Sequence, residues 1–378
     1  MDIFDFSEIF SGVERLWTDP QIIVMIIIGG GLIYLGIAKG FEPLLLVPIG
    51  MGIVLVNVHP ALMEGAYEGN PEGILAWIYH YGIKSGVIPL LVFLGVGAMA
   101  DFSPLLSRPL YFILGAAAQL GVFVVLLVAI AVGFDLKEAG SIAIIGGSDG
   151  PPTVYITAVL APHLLGPITL AAYTYMALVP FIQPPIIRLF TSKRERAMEM
   201  KTESREVSLR ALIAFPLMAS IVVGLLVPQA APLIGMLMFG NLLGVTDVTH
   251  RLARSASTVF IDVLTFLLGV TVGALMSAEV FLRPQTLAIL GLAALAFAIS
   301  TAGGLLMAKF MNLFLKEKIN PILGAAGVSA VPMAARVAQK VAQEANPRNF
   351  ILMHALGPNM AGVIATSVVA GLFLEMLS

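Results

Sequence analysis

The stretch IGGSDGPPTVYIT, residues 145–157, decides how the chain has to be read. It places two glycines before Asp149 and a glycine and two prolines after it, between runs of apolar residues. Glycine and proline both interrupt helices, and an ionised carboxylate in an apolar segment is costly. What such a segment does depends on what surrounds it.

The surroundings are those of an integral membrane protein. Of 378 residues, 58% are hydrophobic and 12% charged, against roughly 25% charged in a soluble domain. Apolar runs long enough for bilayer helices, about 20 residues each, recur throughout, as in IIVMIIIGGGLIYLGIA, LYFILGAAAQLGVFVVLLVAIAVG and TLAILGLAALAFAISTAGGLLMA. The expected fold is an all-α polytopic bundle. Residues 1–20 carry Asp2, Asp5, Glu8, Glu14 and Asp19 against Arg15 and lack the positive start of a secretory signal. The absence of cysteine excludes disulfides, thiolate metal sites and cysteine nucleophiles. A formal charge of −2 gives no reason to expect nucleic acid as a partner.

Twelve apolar segments fall into two sets. The first lies near 21–39, 41–58, 86–100, 110–133, 141–160 and 166–190. The second lies near 208–228, 230–245, 257–277, 285–315, 319–341 and 350–375. The expected organisation is an N-terminal segment 1–20, a first membrane repeat 21–190, a charged linker 191–207 and a second membrane repeat 208–378. The connecting sequence RLFTSKRERAMEMKTESREVSLR holds seven of the 21 basic residues, which makes the linker cytoplasmic by the positive-inside rule. The stretch 59–83 carries Glu64, Glu68 and Glu72 and no Lys or Arg, and is expected outside. Four segments then join an outside loop to an inside one, so one of them fails to cross. The Asp149 segment is the candidate for a hairpin that enters and leaves on the outer side, since irregular backbone at membrane depth needs protein or a water-filled cavity around it. The competing reading is an ordinary proline-kinked helix.

The two sets echo one another. LGVGAMADFSPLLSRP (94–109) resembles LGVTVGALMSAEVFLRP (268–284), and ALVP (177–180) resembles ALGP (355–358). Gly147, Asp149 and Pro152 stand opposite Gly327, Ser329 and Pro332 at a constant offset of 180. NPILGAAGVSAVP (320–332) is therefore expected to be a second broken segment. Five crossings and one break per half would invert the second repeat relative to the first, the plan of many secondary transporters. Arg251, Arg254, Lys316 and Lys318 then fall on the inside, as the rule requires.

Asp149 is the only acid in the central apolar segments of the first half. With Tyr175, Asn320, Ser329, Asn359 and loop carbonyls it makes an oxygen shell suited to a hard cation, and sodium fits. Arg336 follows Ser329 by seven residues, two helical turns, and is expected on the same face, where its charge would respond to the occupancy of Asp149.

GGSDGPPTVYITAVLAP, AAYTYMALVPFIQPPI, GAAGVSAVPMAARVAQKVAQEANPRNFILMHALGPNMAGVIA and the 94–109 region resemble the β subunit of the biotin-dependent, sodium-pumping decarboxylases, the family that acts on oxaloacetate, methylmalonyl-CoA, glutaconyl-CoA or malonate. The resemblance spans nearly the whole chain. It implies that carboxybiotin, presented by a biotin carrier subunit, is decarboxylated at this subunit, with Na+ moved outward and a proton consumed. It also implies a carboxyltransferase subunit, a small membrane subunit, a homo-oligomer of three copies and a multi-pass place in the bacterial inner membrane. The family's functional residues match Asp149, Tyr175, Asn320, Gly324, Ser329, Arg336 and Asn359, with Gly147 and Gly150 flanking the aspartate. Two departures stand out: Ser148 replaces the alanine of many relatives, and Pro151–Pro152–Thr153 has one proline more than the usual Gly-Pro-Thr. A change of loop shape is expected there.

Within that scheme Asp149 binds Na+ and later carries a proton. Tyr175 relays protons, and Arg336 attracts the carboxybiotin carboxylate or repels Na+ after the chemistry. The chain has no biotin-attachment lysine between methionines: AMEMKTES has threonine after Lys201 and reads as solvated linker. GGGLIYLG lacks the Lys-Ser/Thr of a phosphate loop and reads as close helix packing. The alternative function is a sodium-coupled secondary transporter of an organic anion, which shares the architecture. The acyl substrate leans toward a CoA ester.

Overall fold

The computed structural model describes residues 16, 18–65, 73–200 and 206–378. Asp2, Asp5, Glu8, Glu14, Arg15, Glu68, Glu72 and Lys201, which entered the charge argument, lie outside the described residues. Among the described residues there is helix and no strand. The first half contains α1 (Gln21–Lys39), α2 (Pro43–Val58), α3 (Ile74–Lys84), α4 (Val87–Met99), α5 (Tyr111–Val132), α6 (Leu136–Ala143), α7 (Gly150–Leu160) and α8 (Leu165–Phe190). The second contains α9 (Leu209–Leu226), α10 (Ala231–Val245), α11 (Asp247–Ala274), α12 (Pro284–Met311), α13 (Met333–Ala345) and α14 (Leu352–Leu377).

Among the described residues eight helices are long and apolar enough to cross a membrane, and α3 with α4, bent by 62° between them, makes a ninth candidate span. The 16-residue α2 is apolar and somewhat shorter. The protein is an all-α, multi-pass membrane protein. Two expected boundaries move. Residues 74–84 belong to α3 rather than to an outside loop, because Ile74, Leu75, Ile78 and Ile83 with Trp77, Tyr79 and Tyr81 outweigh the nearby polar residues. The segment expected from 257 begins at Asp247, ten residues earlier, so Arg251 and Arg254 sit in its first turns.

Small residues let the helices of one layer approach closely. A Cβ on Gly97 of α4 would run into the Leu237 carbonyl of α10, and one on Gly240 of α10 into the Leu94 carbonyl of α4. Such reciprocal gaps suit a bilayer, where helix association relies on contact rather than on the hydrophobic effect. α1, α2, α4, α10 and α11 form this layer. Against it lie α5, α8, α12 and α14, which enclose the two broken segments.

The Asp149 segment is interrupted outright rather than kinked. A 3-10 turn, Ile144–Gly147, follows α6. Ser148 is left-handed (φ 59°, ψ 41°), Asp149 is extended (φ −127°, ψ 114°), and α7 starts at Gly150. The far ends of α6 and α7 meet: Glu138 pairs with His163 at 2.8 Å. The same glutamate closes a capping box with Asp135 at the start of α6, its Oε2 accepting from the Asp135 N–H at 3.1 Å.

The second break consists of the single turn Ile322–Ala325, an irregular stretch with a cis Val331–Pro332 bond, and α13. Its two ends also return to one place, the linker. Asn320 Nδ2 donates to the carbonyls of Arg196 and Met198 at 3.2 and 2.8 Å, and Asn349 Nδ2 donates to the same two at 3.1 and 3.0 Å. Lys309 at the end of α12 holds the linker too, through Phe190 O at 3.1 Å and Glu195 at 3.0 Å. Burial would raise the Glu195 carboxyl, but hydrogen bonds from Ser192 and Lys309 and the Lys309 charge outweigh it and keep it below the ordinary carboxylate range.

Candidate functional site

The tips of the two breaks touch. The Ser329 N–H donates to the Gly147 carbonyl at 2.9 Å, so residues 182 apart in sequence close the centre of the molecule. The Ser329 hydroxyl bonds Thr366 of α14 at 2.7 Å, and Thr366 donates onward to Gln119 Oε1 at 3.3 Å. All three side chains are buried. This chain of neutral groups ties both tips to α14 and to the middle of α5.

Asp149 is 6% exposed, and its Oδ2 has no hydrogen-bond partner. It occupies the N-cap position of α7, yet its side chain caps nothing. The carboxylate lines a cavity of about 220 Å3 shared with Pro151, Ser329, Tyr173, Met176, Glu42, Ser257, Asp262 and Thr265. The lining holds three acids and no Lys, Arg or His. A buried carboxylate without a compensating partner is costly, and hard oxygen donors around it suit a hard cation.

The structure gathers some of the expected site residues and separates others. Asp149 and Ser329 share the cavity. Tyr175 does not line it: its hydroxyl donates to the Leu290 carbonyl of α12 at 2.9 Å. The phenol beside Asp149 is Tyr173, 3% exposed, whose Oη would lie 2.6 Å from a Cβ added to Gly150. Gly150 is therefore needed for the ring to lie against the start of α7. Two residues along a helix turn about 200°, so the two tyrosines face opposite ways, and the sequence offered no cue to which faced the break.

Asn320 lies at the base of the second break, where its Oδ1 accepts from the Ile322 N–H at 3.0 Å and its amide holds the linker. It does not line the cavity. Asn359 is closer to the tips. Its Nδ2 donates to Ala326 O at 3.1 Å and Val328 O at 2.7 Å, and its buried Oδ1 is unpartnered. Gly324 serves contact, since a Cβ there would strike the Gly304 carbonyl and backbone of α12. At Gly147 a Cβ would stand 2.6 Å from Thr366 Oγ1.

Arg336 does not share a helical face with Ser329, because α13 starts only at Met333 and Ser329 belongs to the irregular stretch before it. The seven-residue spacing misled by assuming continuous helix. Arg336 is exposed on α13, where its charge attracts Glu42, one of the cavity's lining residues. Glu42, Asp262, Tyr173, Thr366 and Gln119 were all missed from the sequence. Among them Gln119 and Asp262, polar within apolar runs, carried a local signal.

A buried carboxylate without a counter-charge, set where two broken helices meet in a multi-pass bundle, defines a class: membrane proteins that handle ions at an interrupted-helix site. Comparison with known proteins shows the family within that class. Residues 21–377 match the family model described as Na+-transporting oxaloacetate decarboxylase beta subunit. The chain is 52% identical to the methylmalonyl-CoA decarboxylase subunit beta of Propionigenium modestum, over 94% of each chain. It is 50% identical to the glutaconyl-CoA decarboxylase subunit beta of Acidaminococcus fermentans, over 94% of this chain and 92% of that one. With the oxaloacetate decarboxylase beta chain of Haemophilus ducreyi it shares 45% identity over 98% of each. The chain belongs to the family of Na+-transporting decarboxylase beta subunits, as a membrane subunit of a decarboxylase.

Proposed function

We propose that this subunit decarboxylates carboxybiotin carried by a partner subunit and uses the free energy released to move Na+ outward across the bacterial inner membrane. The observation that carries this reading is the unpaired Asp149 carboxylate in a cavity lined by three acids and no base. Such a lining attracts a cation, and the family match over residues 21–377 favours the decarboxylase reading over the anion-transporter alternative. The reaction breaks the N–C bond of carboxybiotin. CO2 leaves, the electron pair stays on the biotin nitrogen, and one proton must be supplied to that nitrogen. A carboxylate that holds Na+ in one state and a proton in another links the two events, and Asp149 is placed for that role. Ser329 and Tyr173 offer neutral oxygens in the same cavity. Arg336, charged at any pH the cell reaches, acts on Glu42, which lines the cavity; it suits attraction of the carboxybiotin carboxylate better than proton donation.

The two halves are oriented oppositely in this reading. Glu138–His163 closes the first break on one face, Asn320 and Asn349 close the second on the linker face, and each half supplies five further spans, counting α3 with α4 as one. The biotin carrier, the carboxyltransferase subunit, a small membrane subunit and assembly as a trimer belong to the same proposal. The higher identity to β subunits of two CoA-ester enzymes leans the substrate the same way.

The test is transport. The complex reconstituted in vesicles should take up radioactive sodium on addition of the acyl-CoA substrate, in step with CO2 release. Decarboxylation that proceeds at full rate with no sodium movement refutes the coupling. For orientation, single cysteines replacing exposed His163 and Arg348 in this cysteine-free chain should react with an impermeant thiol reagent from opposite sides; reaction from one side alone refutes the inversion.

A further inference from the structure

An aspartate at the N-cap of a helix ordinarily accepts a hydrogen bond from the backbone N–H of the second or third helical residue. α7 begins at Gly150 with Asp149 as its N-cap, so those two positions are Pro151 and Pro152. Neither has an N–H. The carboxylate makes no cap bond, and its Oδ2 stays without a partner although the residue is only 6% exposed. The backbone elsewhere at the start of the helix is ordinarily bonded: the Thr153 N–H donates to the Asp149 carbonyl at 3.3 Å, and the Thr153 hydroxyl to the same oxygen at 2.6 Å. The contrast with α6 is direct, since there the N-cap Asp135 accepts from the Glu138 N–H at 2.8 Å. The chain can cap with aspartate, and does so one helix earlier.

We infer that Pro151 and Pro152 are positioning residues whose function is to deny Asp149 its cap, leaving the carboxylate free for the cation. The inference rests on the reading of Asp149 as the Na+ site. A proline in the first turn costs the helix little, because the first N–H groups have no partner within the helix. Here their removal has a second effect. A cap bond from a returned N–H would compete with Na+ for the carboxylate, and its loss would have to precede each binding event. Hydrogen bonds to charged groups are among the stronger ones, so the competition should be visible as a weaker apparent affinity.

The experiment replaces Pro151 and Pro152 one at a time with Ala, Thr and Val in the assembled complex. Two quantities are read: the Na+ concentration for half-maximal decarboxylation, and the Na+ concentration that half-protects Asp149 from a carbodiimide in the absence of substrate. At whichever position gains a cap-competent N–H, all three substitutions should raise both concentrations by roughly tenfold, alike for Ala, Thr and Val, because the restored N–H is common to them. A shift that instead follows side-chain size, or no shift at either position, overturns the inference. Asp149→Asn is run alongside. If it keeps ordinary sodium-stimulated turnover, the Na+ site itself is misplaced; if it is inactive while the proline variants bind Na+ normally, only the role of the prolines fails.

Discussion

The two breaks meet through one backbone hydrogen bond, yet they are built from different chemistry. The first carries an ionisable group that the protein leaves unpaired; the second carries a hydroxyl that the protein satisfies at once, through Thr366 and Gln119. A hydroxyl needs one neutral partner to be comfortable in an apolar interior, whereas a carboxylate needs a charge, a proton or several donors. In the proposed scheme, a molecule that supplies the first and withholds the second keeps its variable state at Asp149. The anchoring differs in the same sense. The first hairpin is closed by the Glu138–His163 hydrogen bond, whose histidine is largely exposed, and the second by two buried asparagines bonded to the linker backbone. One break is arranged around a change of charge, the other around a fixed geometry.

The largest effect that could break this comparison is expected at Asp149. Asp149→Asn keeps the size and one oxygen but removes the charge, and Na+-dependent decarboxylation by the assembled complex should fall by at least about a hundredfold, well over 2 kcal/mol. Retention of sodium-stimulated CO2 release, with normal assembly by size exclusion, would erase the distinction between the breaks.

Next come the asparagines. Asn320→Ala and Asn349→Ala each remove donors to the Arg196 and Met198 carbonyls, and each should destabilise by about 1–3 kcal/mol, read as matched losses of melting temperature in detergent. If Asn320→Ala instead changes the sodium requirement and leaves the melting temperature intact, Asn320 returns to the cation shell that the resemblance assigned it.

Thr366→Val should cost less, about 1–2 kcal/mol, because it keeps the shape and removes the hydroxyl that links Ser329 to Gln119. The expected sign is a modest loss of thermal stability with the Na+ dependence of turnover preserved. A Thr366→Val complex that loses Na+ dependence altogether would move the ion chemistry to the second break.

The smallest effect belongs to the linker. The Glu195 carboxyl is held below its unfolded pKa, so its contribution is present above the ordinary carboxylate value and is lost as pH falls through the depressed one. The Glu195–Lys309 pair is partly exposed and is worth under about 1 kcal/mol. Melting temperature should therefore differ little between wild type and Glu195→Gln at neutral pH, and the difference should shrink as pH falls below the ordinary carboxylate range. A difference that grows on acidification would reverse the assigned sign.

Composition and the spacing of helix breakers sufficed to read an all-α membrane protein, the interruption at Asp149 and its partner at Ser329; the family came from the resemblance of whole motifs. Those features are local: a run is apolar or not, and a glycine or proline interrupts a helix wherever it stands. Which side of a long apolar helix faces the cavity was decided only in the tertiary structure. Tyr173 rather than Tyr175 lies beside Asp149, Asn320 holds the linker instead of lining the cavity, Arg336 is separated from Ser329 by a late helix start, and Glu42 and Asp262 come from distant helices to share the cavity. The physical reason is the solvent. In water a helix marks its buried face by the contrast between apolar and polar residues, but lipid is as apolar as the protein interior, so the buried and lipid-facing sides of α8 read alike until the neighbours that distinguish them are in place.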